Sequence, residues 1–134
     1  MGFKQKIQVN SSQASARDPD LIVHSEDSAT AIEGQSESCL RLHDPNPLLV
    51  IEVVSPGPES SDNYQRDYVQ KTKEYAARGI TEMWLVDPSR AVIKVGDLVG
   101  GLYQFQDFTD NQVIVSPTFP LLNLTAQQVL SAGR

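Results

Sequence analysis

The order of apolar and polar residues along this chain predicts strands that alternate with a helix. Residues 48–54 (LLVIEVV) are almost wholly apolar, which is typical of a central strand covered on both faces. The run stops at residues 55–58 (SPGP), where proline removes a backbone donor and glycine permits an unusual turn. Residues 82–87 (EMWLVD) predict a second buried strand, which ends before Pro88.

A helix is predicted between these two strands, over residues 62–78. Its aromatic residues and one lysine recur at intervals of three or four and therefore share one broad face: Tyr64, Tyr68, Lys71 and Tyr75. Gly79 then supplies a typical C-cap signal. The strand, helix and strand make a βαβ unit, which gives parallel neighbouring strands and a right-handed connection.

The rest of the chain predicts shorter elements. Five short strands are expected, at residues 3–9, 20–23, 91–95, 101–106 and 112–115. Thr125 can cap a last helix that runs to Leu130. Residues 25–46 are rich in Ser, Glu, Asp and Gly and are predicted as a long loop, with a short strand near residues 39–42 left open. Because short turns join the later strands, we expect them to be antiparallel, in a single α/β domain over residues 1–134 with a mixed sheet.

Composition and charge are those of an ordinary globular chain. Its 134 residues amount to about one domain, with 40% hydrophobic and 21% charged residues. No apolar run approaches the roughly 18 residues of a membrane helix, and the N-terminal residues show no secretory signal. The single cysteine, Cys39, excludes an internal disulfide, is interpreted as a buried thiol and fits a cytoplasmic protein. A net charge of −6 counts against nucleic acid as a partner unless basic residues cluster locally.

Glu52 conflicts with its surroundings, because its carboxylate lies in the middle of the apolar strand 48–54. A buried, unpaired charge is costly and therefore needs a cation, a metal ion or a proton. Functional sites are where such conflicts are expected. Two structural alternatives stay open: a glutamate at the hydrated end of the strand, or a simple ion pair with Lys or Arg.

Asp20 stands at the start of a separate predicted strand. If that strand lies beside 48–54, the carboxylates of Asp20 and Glu52 converge, and Mg²⁺ is the kind of hard cation that prefers such oxygen ligands. Asp20 could equally be a turn residue, and Asp18 is a rival for the same role. His24, further along the strand, has no zinc-ligand pattern around it and is assigned at most a peripheral role.

Lys71 lies on the predicted helix, and from its sheet-facing side it could reach back toward Glu52. There it could orient or deprotonate an attacking water, or stabilise charge on a phosphate. Asp67 lies one turn earlier and can pair with Lys71 at the i, i+4 spacing. The alternative is a solvent-exposed Asp67–Lys71 pair that contributes little to stability.

Three segments together resemble a known family: DPDLIVHSE, PLLVIEVVSPG and RDYVQKTKEYAARGITEMWLVDP. They resemble the Uma-two type of restriction endonuclease, a bacterial family within the PD-(D/E)xK nuclease superfamily that is also described as a domain of unknown function. The resemblance runs from about Asp18 to Leu130. It implies a restriction-endonuclease-like α/β core, with a mixed central β-sheet flanked by helices, and hydrolysis of DNA with Mg²⁺ (or Mn²⁺) as cofactor.

The resemblance also assigns roles to single residues. Asp20 and Glu52 match the acidic positions and are implied as metal ligands, with the backbone carbonyl of Val53 as a further one. The superfamily lysine, two residues after the glutamate, is a valine here, and the family implies that Lys71 substitutes for it from the helix. Asp67 matches a position near the site and is an accessory candidate.

Two hypotheses follow for the function. The first is a Mg²⁺-dependent DNA endonuclease with Asp20, Glu52 and Lys71 as catalytic residues; an RNA nuclease is equally compatible with the sequence. The second is an inactive nuclease-fold remnant that acts as an oligomerising or binding module.

Family members usually have a longer N-terminal part, so residues 1–17 are expected to be a shortened version, and a homodimer partner is one way to complete the sheet. An open pocket at the three residues would favour the nuclease, and a closed Lys71–Glu52 pair the module.

Overall fold

The computed structural model describes residues 5–35 and 37–132, which form two mixed sheets with helices packed against them. The strands are β1 (Lys6–Gln8), β2 (Ala16–Arg17), β3 (Leu21–Val23), β4 (Cys39–Leu40), β5 (Leu49–Val53), β6 (Glu82–Asp87), β7 (Val92–Val99) and β8 (Leu102–Phe108). The helices are α1 (Glu26–Glu33), α2 (residues 62–78) and α3 (Ala126–Ser131). The larger sheet has the order β3-β5-β6-β7-β8, and the smaller has the order β2-β1-β4.

The βαβ unit predicted from the hydrophobic pattern is present as β5, α2 and β6. β5 and β6 are parallel, with Val50 opposite Met83 and Val53 opposite Val86. β7 and β8 continue the sheet in antiparallel order, as the short turns indicate, and β3 pairs antiparallel with the other edge of β5. The predicted α/β fold with a mixed sheet is confirmed, although the strands divide into two sheets and not one.

The five-stranded sheet has a hydrophobic core on each face, because successive side chains of a strand point to opposite sides. The core shared with α2 and the smaller sheet includes Ile7, Leu40, Val50, Val54, Tyr75, Ile80, Met83 and Leu85. The core shared with α3 and the C-terminal segment includes Leu49, Trp84, Val86, Ile93, Val95, Phe108, Ile114 and Ala126. β5 is buried on both faces where it begins, as predicted, but Val53 at its end is 45% exposed. The sheet therefore meets solvent at the carboxyl end of β5.

Helix α2 contains a π-helical stretch that the sequence pattern does not indicate. The helix begins as Asp62–Tyr64, is π-helical over Gln65–Gln70 and is α-helical again over Lys71–Arg78. The wider turn is seen where the Lys71 N–H donates to the Arg66 carbonyl, five residues back. Such stretches are frequent at functional sites. This one ends at Lys71, a residue singled out from the sequence.

The carboxyl end of α2 is closed by Gly79, as the sequence predicts. Gly79 has a φ of 83°, in the left-handed region that favours glycine, and its N–H donates to the carbonyls of Tyr75 and Ala76. The predicted helix of residues 62–78 is therefore confirmed at its C-terminus by the cap itself.

Arg78 joins the end of α2 to the smaller sheet. Its guanidinium donates to the carbonyls of Gln8, Leu40 and Asp44 and to Asn46 Oδ1, over distances of 2.7 to 3.3 Å. Gln8 ends β1 and Leu40 ends β4. One side chain therefore satisfies carbonyl groups from two strands and from the connection that leads to β5.

The prediction of a long loop over residues 25–46 is wrong because this segment contains α1, while the short strand left open near residues 39–42 is present as β4. Ser25 caps α1 by accepting a hydrogen bond from the Ser28 N–H. The helix has only eight residues and buries only Ser28 and Ile32 among them, so it shows little apolar periodicity. A helix this short owes its stability to packing, which a sequence pattern does not display.

The prediction of a strand over residues 112–115 is also wrong. Within the described chain this segment has a single bridge, between Val113 and Thr125. The last helix is confirmed as α3, with Thr125 and Gln128 forming a capping box. The first predicted strand, residues 3–9, is present as β1, although its first two residues lie outside the described residues. None of the described helices is long and apolar enough to cross a membrane.

Replacing Arg78 by alanine is expected to lower the free energy of unfolding by about 2–4 kcal/mol. Partly buried carbonyls lose their donor, and each unsatisfied buried polar group costs roughly 1–3 kcal/mol. Urea denaturation followed by circular dichroism measures the loss. Arg41→Ala is the matched control, since Arg41 pairs with Glu37 on the surface and such pairs contribute at most about 1 kcal/mol. Equal losses in the two variants would contradict the role given to Arg78.

Candidate active site

Glu52 belongs to β5, its carboxylate contacts α2, and the residue is 1% exposed. Its Oε1 accepts a hydrogen bond from Lys71 Nζ at 2.9 Å, and its Oε2 accepts one from the Tyr75 hydroxyl at 2.6 Å. Burial raises the pKa of Glu52, while the charge of Lys71 and the Tyr75 hydrogen bond oppose the increase. The buried carboxylate therefore has both a cation and a hydroxyl donor, and the ion pair that the sequence left open is present.

Lys71 bridges two buried carboxylates. Its Nζ lies 2.9 Å from Glu52 Oε1 and 3.2 Å from Asp67 Oδ1, and its side chain is 12% exposed. Asp67 is 1% exposed and also accepts hydrogen bonds from the Ser55 N–H and from Arg66. Burial raises the pKa of Asp67, but these hydrogen bonds and Lys71 outweigh burial and hold the pKa below its usual value. The Asp67–Lys71 pair is thus inside the protein and is not a solvent-exposed pair.

Asp20 directly precedes β3, and the antiparallel register of Leu21 with Ile51 places it beside Glu52. Asp20 is exposed, and its Oδ2 accepts a hydrogen bond from the Val53 N–H at 2.7 Å. Its negative charge adds to the effect of burial in raising the pKa of Glu52. The structure therefore brings together Asp20, Glu52 and Lys71, with Asp67 behind the lysine.

The rival residues lie elsewhere. Asp18 Oδ2 is 3.9 Å from Lys6 Nζ, in an exposed pair. His24 is held between neutral groups, with Nδ1 2.8 Å from Ser28 Oγ and Nε2 2.6 Å from Gln5 Oε1. Burial lowers the pKa of His24. These contacts give His24 a packing role next to α1.

The oxygen donors at this edge of the sheet fit a hard divalent cation. Mg²⁺ is commonly held by one or two carboxylates while water completes its coordination, and Asp20 and Glu52 offer two from neighbouring strands. Each Glu52 oxygen already accepts one hydrogen bond, and a carboxylate oxygen can accept a second. Across residues 5–35 and 37–132, no group of three or more His, Cys, Asp or Glu side chains is placed to hold a metal ion. Water and a bound phosphate would therefore have to complete the coordination.

Tyr75 is the site residue that the sequence argument did not select. It is fully buried, and burial followed by the charge of Glu52 raises the pKa of its hydroxyl, so Tyr75 remains a hydrogen-bond donor to that carboxylate. The signal was present, since Tyr75 lies four residues after Lys71 on the predicted sheet-facing side of the helix. A buried tyrosine is ordinarily assigned to the core, and only its hydroxyl contact identifies this one.

The raised pKa of Glu52 predicts that its contribution to the free energy of unfolding depends on pH. A carboxyl group with a higher pKa in the folded than in the unfolded chain binds protons preferentially when folded, so it adds stability as the pH falls. We expect wild type to gain stability relative to Glu52→Gln as the pH is lowered from neutral toward 4.5, the ordinary value of this pKa. Urea unfolding at several pH values measures the difference. A shift toward the variant on acidification would contradict the assignment.

Comparisons with known proteins agree with this fold. The family model Uma2, described as "Putative restriction endonuclease", matches residues 2–127. No curated protein matches the chain. A crystal structure of a "putative nuclease belonging to DUF820" from Anabaena variabilis superposes with a TM-score of 0.56 and 17% sequence identity. The alignment covers 97% of this chain and 66% of that one, so the chain spans about two thirds of that protein's length. The chain belongs to the Uma2 family of restriction-endonuclease-like proteins.

Proposed function

We propose that this protein is a Mg²⁺-dependent endonuclease that hydrolyses phosphodiester bonds in DNA. The observation that carries the proposal is the position of exposed Asp20 beside Glu52, at the carboxyl end of β5 where Val53 is also exposed. An ammonium group next to two carboxylates matches the chemistry that a PD-(D/E)xK nuclease requires. Membership of a family whose description is "Putative restriction endonuclease" supports the same activity.

Each residue has a distinct role in this proposal. Asp20 and Glu52 hold the cation, and the backbone carbonyl of Val53 is a third ligand. When bound, Mg²⁺ (or Mn²⁺) lowers the pKa of a coordinated water and offsets charge on the scissile phosphate. Lys71 donates from Nζ to the attacking water or to a phosphate oxygen, while Asp67 at 3.2 Å keeps the ammonium group in position.

The balance of charge explains why a cation is required. Three carboxylates, of Asp20, Glu52 and Asp67, face two cationic groups, of Lys71 and Arg66, so the formal charge of the cluster is 2 − 3 = −1. A phosphodiester is repelled by this arrangement. One bound divalent ion changes the formal charge of the cluster to +1. The attraction between this charge and a phosphate is stronger in a partly buried site than in bulk water.

A plasmid-nicking assay with Mg²⁺ or Mn²⁺ tests the activity. Glu52→Gln and Lys71→Met are each expected to lower the rate by at least about 100-fold, the usual effect of removing an acid–base or charge-stabilising group. Glu33→Gln is the matched control, because Glu33 is exposed at the end of α1, and this variant should cut at the wild-type rate. Wild type that leaves DNA intact with both metals, or Glu52→Gln that cuts as fast as wild type, contradicts the proposal.

The closed contacts around Glu52 favour a second candidate, an inactive nuclease fold that serves as a binding or oligomerising module. Both Glu52 oxygens have donors within the protein, and the residue is 1% exposed. In this case Lys71 only neutralises a buried charge, and its contact with Glu52 is structural.

A cation titration separates the two candidates. For the nuclease, millimolar Mg²⁺ or Mn²⁺ should raise the melting temperature of wild type and not that of Asp20→Asn, since a ligand that binds only the folded state stabilises it. Asp20 is exposed, so its replacement should leave the core intact. For the module, neither cation changes the melting temperature, while Lys71→Met still lowers the free energy of unfolding by about 3–5 kcal/mol because a buried charge loses its partner.

A further inference from the structure

Two arginines lie near the carboxyl ends of the parallel strands, outside the cluster of Asp20, Glu52 and Lys71. Arg66 Nη2 donates to Ser55 Oγ at 3.2 Å, two residues beyond the end of β5. Arg90 lies three residues beyond the end of β6. The two side chains are 36% and 31% exposed, so each guanidinium is only partly covered. Arg66 and Arg90 are called the arginine rim below.

Each rim arginine is held by a buried carboxylate. Asp67, 1% exposed, accepts from Arg66 Nε at 3.1 Å. Asp87, fully buried, accepts from the Arg90 backbone N–H at 3.0 Å and from its Nη1 at 3.1 Å. A guanidinium that is already in place loses little rotamer freedom when it binds a ligand.

Aromatic rings hold Arg90 from a second side. Its Cζ lies 4.9 Å from the centroid of the Tyr64 ring, and Tyr64 stacks on Tyr68 with centroids 4.3 Å apart. The Tyr68 hydroxyl donates to Asp87, and Arg90 Nη2 donates to the Gly57 carbonyl at 2.9 Å. The rim at Arg90 is therefore built from α2, β6 and the turn after β5, and it is not a lone flexible side chain.

A chain of direct contacts links Arg66 to the candidate site. Arg66 contacts Asp67 at 3.1 Å, Asp67 contacts Lys71 at 3.2 Å, and Lys71 contacts Glu52 at 2.9 Å. Arg66 is thus separated from the proposed water-activating lysine by one carboxylate. In a chain with a net charge of −6, Arg66 is a fixed, partly exposed cation next to the site, and Arg90 is a second one beyond the end of the neighbouring strand β6.

We propose that the arginine rim binds the phosphodiester backbone of the nucleic-acid substrate beside the scissile bond. Guanidinium groups suit phosphate because they carry several N–H donors and keep their charge at any physiological pH, so Arg66 can bind phosphate while its Nε and Nη2 stay bound to Asp67. The inference rests on the proposed nuclease function and extends it to Arg66 and Arg90. Because a backbone contact does not read bases, the rim binds independently of base sequence.

The test measures binding with Ca²⁺ in place of Mg²⁺, by fluorescence anisotropy of a labelled oligonucleotide over a series of KCl concentrations. Arg66→Gln and Arg90→Gln should each weaken binding of all sequences alike and reduce the salt slope of log K by about 0.9 on duplex DNA, or about 0.7 on a single strand. Duplex DNA, single-stranded DNA and RNA are compared, since all three carry the phosphodiester group. Arg41→Gln, at an exposed pair with Glu37, is the control and should keep the wild-type slope.

Stability is checked by thermal unfolding, because each glutamine variant leaves a buried aspartate without its partner. Arg66→Lys and Arg90→Lys keep that charge and should keep the salt slope while binding more weakly, because an ammonium group offers fewer N–H donors than a guanidinium. The proposal is overturned if wild type binds none of the oligonucleotides or if the rim variants bind like wild type. It is also overturned if Arg41→Gln loses as much binding affinity as the rim variants. Cleavage is measured separately. Binding that depends on the arginine rim, without any cleavage, supports phosphate binding by the rim and contradicts the nuclease activity. Cleavage that proceeds at the wild-type rate in the rim variants supports the nuclease activity and contradicts phosphate binding by the rim.

Discussion

The carboxylate of Glu52 cannot lie in the interior without donors, and the donors come from one helix. Lys71 and Tyr75 reach it from successive turns of α2, at 2.9 and 2.6 Å. Breaking a buried ion pair from one side costs about 3–5 kcal/mol, so the position of α2 over β5 is tied to this contact. Because β5 lies between β3 and β6, the same contact orients the helix relative to β3, which Asp20 directly precedes, and to β6, which ends at Asp87.

The remaining polar contacts extend outward from this pair. Asp67 holds Lys71 from the other side and connects it to Arg66, while Arg78 anchors the far end of α2 to the smaller sheet. The π-helical stretch lies between the two ends, where the helix passes the candidate site. Helix α2 therefore packs against the sheet, supplies the lysine of the site and joins the two sheets. A change at either end of the helix is expected to alter the geometry of the site.

The parts of the fold with strong local signals were predictable from the sequence. The apolar run of β5, the helix that ends at Gly79 and the apolar strand β6 are recognisable because hydrophobic period and cap residues agree there. α1 is not predicted, because eight residues with two buried positions show almost no hydrophobic periodicity. Residues 112–115 predict a strand because Val113, Ile114 and Val115 are β-branched and apolar. The π-helical stretch has no known sequence signature, since it depends on how α2 packs.

For the candidate site, the sequence by itself determined that Glu52 is a charge in a hydrophobic strand and that Lys71 and Tyr75 share a helix face. It also determined the family, through the combination of three motifs. Only the tertiary structure decided that Asp20 lies beside Glu52, that Lys71 sits between two carboxylates and that Arg66 and Arg90 are held by buried aspartates. The physical reason is that these are contacts between residues distant in sequence, or depend on a local burial that only the packed chain creates.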